Sequence, residues 1–118
     1  MYYDAGNFNE TSLGKIKVSS HVIEVITRAS TLEVEGVVSL NSTFEFADII
    51  NRNKTIAKGI KVNFEEKQTI IDVSVVIKSG LKLLKLAEQI QENVKYSIET
   101  MTGLDVAEVN VHIDGIEI

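Results

Sequence analysis

Two periods run through this chain. Leu83, Ala87, Ile90, Val94, Ile98 and Met101 recur every three or four residues, so they share one side of a 3.6-residue helix. Lys85, Glu88, Glu92, Lys95 and Glu99 take the other side, and Gly103 follows as a left-handed stop. Beyond it Val109, Val111 and Ile113 alternate with Glu108, Asn110, His112 and Asp114, the signature of a strand with one buried and one wet face. An earlier helix is predicted from Ser19 or Ser20, either of which can accept from free N–H groups, to about Val34. Its expected buried stripe is Val22, Val25, Ile26, Ala29 and Leu32, with Glu24 and Arg28 outside and Gly36 as the stop.

The strand period appears in four more places. Leu13 to Val18 reads as a strand with Ile16 and Val18 inward and Lys15 and Lys17 outward, and Val37 to Leu40 as a short apolar strand. Ile60 to Glu65 and Thr69 to Lys78 read as a β-hairpin reversing at Glu66, Lys67 and Gln68. In its second strand Ile71, Val73, Val75 and Ile77 face in, and Ile70, Asp72, Ser74 and Val76 face out. Asn41 to Lys58 breaks both periods, and Phe44, Phe46, Ile49 and Ile50 within it suit a short helix or an ordered flap. The order is strand–helix–strand, then hairpin–helix–strand. It predicts an α+β two-layer sandwich, one mixed sheet of about four to five strands with two helices on one face. Residues 1–12 are expected to form a flexible tail, and 13–118 a single domain.

Composition narrows the function classes. A chain of 118 residues suits one domain with a sizeable core. A net charge of −5 repels nucleic acid and anionic membrane on average, so either would need a local basic patch. With no cysteine there is no disulfide or thiolate chemistry. The polar start lacks the basic and apolar regions of a signal peptide, and no run approaches the roughly 18 apolar residues of a membrane span. The expected location is cytoplasmic.

Candidate chemistry is sparse. His112 and Asp114 share the outward side of the last strand, half of what a metal site or an oriented base needs, but no third ligand or nucleophile lies near in sequence. His21 opens the first helix. The carboxylate pairs Glu33/Glu35, Glu45/Asp48 and Glu65/Glu66 show no environment that would split their acid and base roles. No phosphate loop or zinc spacing is present. We expect no enzyme activity, cofactor or metal.

Basic residues are the better candidates for binding. Arg52, Lys54, Lys58 and Lys61 follow one another with no acid between them. The plainer reading is a solvated loop; the sharper one is a docking surface for an acidic partner or lipid headgroup. Lys78, Lys82 and Lys85 gather where the long helix begins, at the end of the dipole that prefers acids. They alternate with Leu81, Leu83, Leu84 and Leu86. Such a pattern is either a buried leucine layer with lysines reaching outward or a surface that meets a membrane or an acidic partner.

Four stretches give the chain a family likeness: Gly14-Lys15-Ile16 with Val18-Ser19, EVEGV from Glu33 to Val37, KGIKVNF from Lys58 to Phe64, and the run from Ala87 through MTGLDVAEVNVHI. In order and spacing they resemble the alkaline shock protein family of Gram-positive bacteria, also called the envelope stress response family. The chain departs from that pattern at Ser79-Gly80 and Leu84-Lys85, near where the family commonly has Tyr-Gly and a helix-opening proline. The resemblance implies a non-enzymatic cytoplasmic protein of cell-envelope and alkaline stress. It also implies self-association and, in some members, retention at the membrane by a membrane-anchored partner.

Two functions follow as expectations. The first is an interaction or scaffold module at the cytoplasmic face of the membrane, peripheral through a protein partner. The alternative is a regulatory partner of a soluble enzyme, for instance in lipid metabolism. Nucleic-acid binding through the basic segment ranks below both, because stacking aromatics are missing.

Overall fold

The computed structural model describes residues 2–3, 9–11, 13–41, 54–57, 59–65 and 68–118. In chain order the elements are β1 (Tyr2–Tyr3), β2 (Asn9–Thr11), β3 (Gly14–Ile16), β4 (Val18–Ser19), α1 (Ser20–Leu32) and β5 (Val37–Leu40). Then come β6 (Lys54–Ala57), β7 (Ile60–Glu65), β8 (Gln68–Lys78), α2 (Leu83–Thr102) and β9 (Val106–Glu117). The fold is the α+β arrangement expected, a mixed five-stranded sheet with helices packed on it.

β8 is the spine. β9 runs parallel to it along one edge, from Thr69 opposite Val106 to Lys78 opposite Glu117. The other edge is shared. β7 pairs with its first half and β5 with its second, both antiparallel, and β6 extends the sheet beyond β7. Ser74 marks the junction: its N–H donates to Gly59 C=O at 2.8 Å and its C=O accepts from Asn41 N–H at 2.9 Å. Both groups of one residue point to the same side of a strand, so β5 and β7 lie end to end. The parallel β8–β9 pair needs a crossover, and α2 supplies it.

The hairpin alternation is realised as read. Ile71, Val73, Val75 and Ile77 are fully buried, with Ile60 and Val62 beside them. They meet Ile23 and Ile26 of α1 and Ile90, Val94 and Ile98 of α2 in one core. Each such side chain contributes about 1.5–3 kcal/mol on burial. On the opposite face Ile70, Asp72 and Val76 are only half-buried, whereas Ser74 is wholly covered.

Two helical stripes differ from expectation. In α1 the buried set is Ser20, Ile23, Ile26, Thr27, Ser30 and Thr31, while Val22, Val25 and Leu32 are exposed. The helix is turned by about one position, or roughly 100°. Its hydroxyls make this tolerable: Thr27 Oγ1 donates to Ile23 C=O and Ser30 Oγ to Ile26 C=O, both at 2.7 Å. A hydroxyl bonded within its own helix can enter the interior without the penalty of an unpaired polar group. In α2 the buried line is Leu86, Ile90, Val94 and Ile98, and Leu83 and Met101, expected inside, are exposed. The stripe is correct in its middle and runs out at both ends.

The first predicted strand is also different. It breaks at Lys17 into β3 and β4, which pair with β2 and β1 and not with the main sheet. Tyr2–Tyr3 and Asn9–Thr11, in the segment read as a tail, therefore supply ladder partners. Within the segment read as aperiodic, β6 is a regular strand in register with β7, from Lys54 opposite Asn63 to Ala57 opposite Ile60. The flap residues Phe44, Phe46, Ile49 and Ile50 lie outside the described residues. The expected caps form at the start of α1 and the end of α2, whereas α1 stops at Leu32 with Glu33 as a right-handed C-cap and not at Gly36. Ser19 Oγ accepts from Val22 N–H at 3.3 Å, and Gly103, at φ 75°, ends α2 with its N–H on Glu99 C=O at 2.9 Å.

Gly59 carries a particular constraint. It sits at φ 77°, and a Cβ there would lie 2.7 Å from Leu40 Cβ and 2.9 Å from Asn41 N, where β5 and β7 abut. Gly59→Ala should cost about 2–4 kcal/mol, combining left-handed strain with a clash that needs backbone movement. Chemical denaturation checks it. The same measurement should separate Leu86 from Leu83: Leu86→Ala costs about 2–5 kcal/mol and Leu83→Ala under about 1 kcal/mol.

Candidate functional site

The end of β8 is tied on both sides. Lys78 N–H donates to Gly36 C=O at 2.9 Å and Ser79 N–H to Glu117 C=O at 3.0 Å. Gly80 turns the chain at φ 84°, and Leu81 folds back against Gly36, its Cδ1 only 2.5 Å from where a Cβ would stand. Gly36 itself has φ 105°. The EVEGV stretch thus leaves a backbone groove that Leu81 fills, which seats the start of α2 against the end of α1.

α2 opens without a capping side chain. Lys82 is the extended N-cap, and its C=O accepts from Leu86 N–H at 3.0 Å. No acid occupies the first turn. Leu81, Leu83 and Leu84 are all exposed here, Leu84 to 82%, and only Leu86 enters the core. The buried leucine layer, the plainer sequence reading of this stretch, is therefore not what forms. Lysines and leucines share one solvent-facing end instead. Lys82 and Lys85 flank a shallow groove with Glu35, Leu81 and Gln89. A larger open groove of about 790 Å³ adjoins it, lined by Glu33, Glu35, Glu92 and Tyr96. Asn93 bridges its wall, donating to Ser30 C=O at 2.6 Å and to Glu33 Oε1 at 3.4 Å.

Of the seven basic residues singled out by sequence, the fold brings Lys78, Lys82 and Lys85 to one end of the molecule. Lys61 is placed elsewhere, on the outer face of the sheet in register with Asp72. Lys54 opens β6 opposite Asn63. Arg52 and Lys58 lie outside the described residues. The basic run is therefore divided among elements.

One surface was missed by pattern reading. Because α1 is turned, Val22, Val25, Ala29 and Leu32 form an exposed stripe along it. Only the hydroxyl residues at Thr27, Ser30 and Thr31, spaced like a second stripe, hinted that another face was available for burial.

The histidine geometry is also specific. Asp72, across the β8–β9 ladder, partners His112 Nε2 at 3.1 Å. Asp114, the residue paired with it by sequence, instead accepts from Asn41 Nδ2. Asp72 and His112 thus form a cross-strand latch. Among the described residues no three His, Cys, Asp or Glu side chains are grouped to hold a metal ion. Nor, among them, is any helix long and apolar enough to cross a membrane.

In architecture the chain is similar to the MamM CTD, with a TM-score of 0.50 and 11% identity over 82% of this chain and 95% of that one. At that identity the likeness speaks for the fold alone. Sequence relatives are nearer. YqhY of Bacillus subtilis, an uncharacterized protein, is 35% identical over 92% of this chain and 81% of its own length. The uncharacterized protein Spy1535 of Streptococcus pyogenes serotype M6 is 34% identical over 88% of this chain and 80% of its own. YloU of Bacillus subtilis is 27% identical over 92% of both. The model of the alkaline shock protein family, described as cell envelope-related in function, matches residues 8–118. The lysine–leucine end, the sheet and both helices all fall within that match, and the chain belongs to the alkaline shock protein family.

Proposed function

We propose that this chain is a non-enzymatic interaction module of the cell envelope, working at the cytoplasmic face of the membrane. It docks on a membrane-held protein partner through the Lys78–Lys85 end. The observation that carries this reading is the exposure of Leu81, Leu83 and Leu84 between Lys78, Lys82 and Lys85. Exposed leucines give a partner apolar area to bury, and the lysines select an acidic surface and speed encounter. The placement of these lysines at a helix N-terminus is mildly unfavourable for the free protein, by about 0.3–1 kcal/mol each at most. An acidic partner would relieve that cost on binding. The family's envelope-related description agrees in kind.

Co-fractionation from native cells tests the proposal. The wild-type chain should recover with membranes and cross-link to a membrane protein, and the Lys82→Glu/Lys85→Glu variant should lose roughly tenfold or more of that recovery. These side chains are exposed, so the variant should keep the wild-type fold. Equal recovery of both chains would refute the docking surface. One dominant soluble enzyme as the cross-linked partner would favour the regulatory reading instead.

A further inference from the structure

The larger groove beside the lysine–leucine end has the opposite charge. One of its walls is α2, where Glu92 and Tyr96 stand a helical turn apart on one side of the helix. The other is the turn between α1 and β5, which carries Glu33 and Glu35. Among the described residues no lysine, arginine or histidine lines this groove. All three glutamates are exposed, and among the described residues the carboxylates of Glu35 and Glu92 have no hydrogen-bond or ion-pair partner. Tyr96, 69% exposed, adds an uncovered aromatic ring.

The walls are fixed before anything enters. In the turn, Glu33 N–H donates to Ala29 C=O, Val34 N–H to Thr31 C=O and Val37 N–H to Val34 C=O, each at 3.2 Å. Asn93 ties the turn to α2 through Ser30 and Glu33. Glu35, Leu81 and Gln89 line both this groove and the one at Lys82 and Lys85, so one surface runs from glutamates to lysines.

Shape and charge select the occupant. A cleft lined by one sign of charge gathers the opposite sign. A metal ion does not fit, because these carboxylates are not grouped to hold one. An open groove of about 790 Å³ suits several side chains of a chain segment instead. Arginine and lysine pair with carboxylates and stack on an aromatic face, and their apolar stems pack on residues such as Val34 and Leu81.

We propose that this groove holds a basic cytoplasmic segment of the membrane-held protein partner, next to that partner's membrane span. One arginine or lysine lies against Tyr96 and Glu92, and another against Glu33 and Glu35. Cytoplasmic segments beside a membrane span are rich in these two residue types. The inference rests on the reading that the partner is membrane-held, and adds the charge that it brings to this side. Acids of the same partner meet Lys82 and Lys85, so the partner's charge changes sign along the Leu81 wall.

A peptide titration and membrane co-fractionation test it together. The probe is an acetylated, amidated peptide of arginine, leucine and serine, followed by the amide chemical shifts of the full chain. The control peptide has glutamate in place of arginine. The arginine peptide should shift the Glu35, Glu92, Asn93 and Tyr96 amides, and the control should not. Glu35→Lys/Glu92→Lys should weaken binding by roughly tenfold or more. Tyr96→Ala should weaken it by roughly threefold, and Tyr96→Phe should bind as the wild type does. These side chains are exposed, so the variants keep the fold. In native cells Glu35→Lys/Glu92→Lys should also lose roughly tenfold or more of the membrane recovery. No binding, shifts spread over the whole surface, or equal binding by wild type and Glu35→Lys/Glu92→Lys overturns the proposal. Full membrane recovery of that variant overturns it too; if Lys82→Glu/Lys85→Glu is lost from the same membranes, docking through the lysines stands and only the groove's part in it falls. Recovery lost by the glutamate variant and kept by the lysine variant supports the groove and sinks the lysine docking surface.

Discussion

Burial of alternate residues on β8 is the constraint on which the rest of the structure depends. Ile71, Val73, Val75 and Ile77 have no exposed surface, and both helices and four strands are arranged to achieve that. A strand buried on one face needs neighbours on both edges and a layer above. β9 satisfies one edge along its full length. The other edge takes β7 and β5 in succession, and Ser74 divides them. Because β9 must run parallel to β8, the connection between them has to cross over, and that requirement places α2 on the core.

The position of α1 follows from competition between two faces of one helix. Its apolar count favours Val22, Val25, Ala29 and Leu32 as the inner stripe. The inner stripe is instead Ile23, Ile26, Thr27, Ser30 and Thr31. Hydroxyls that return their hydrogen bond to the preceding turn behave as small, nearly neutral groups. Small residues also let the helix approach α2 closely enough for Asn93 to reach Ser30 C=O. Among the described residues Thr31 Oγ1 has no partner, a local cost of this arrangement. The consequence is functional: an apolar stripe stays at the surface.

α2 joins the core to the surfaces that matter for binding. Its middle buries Leu86, Ile90, Val94 and Ile98, and its flank shields the first half of the β9 edge with Gln91, Lys95 and Glu99. Its first turn exposes leucines beside lysines. One helix thus fixes the fold at its centre and presents the chain's most distinctive surface at its start.

Most of the elements and their types were legible in the residues, but β1, β2 and β6 were not. Both helices, the β7–β8 hairpin, β5 and β9 follow from hydrophobic period, and the caps at Ser19 and Gly103 follow from side-chain and backbone chemistry. The family likeness was legible too, because it rests on local stretches kept in order. The sequence also showed where catalytic groups were sparse and where lysines and leucines alternate. Only tertiary structure decided which face of α1 went in, since hydropathy does not register a hydroxyl satisfied by its own helix. Only tertiary structure paired the Leu13–Val18 segment with residues before it, separated Lys61 from the α2 lysines, and gave His112 Asp72 as its partner in place of Asp114. Those outcomes depend on strand order and register, which are set by contacts between residues far apart in the chain, and no local period encodes them.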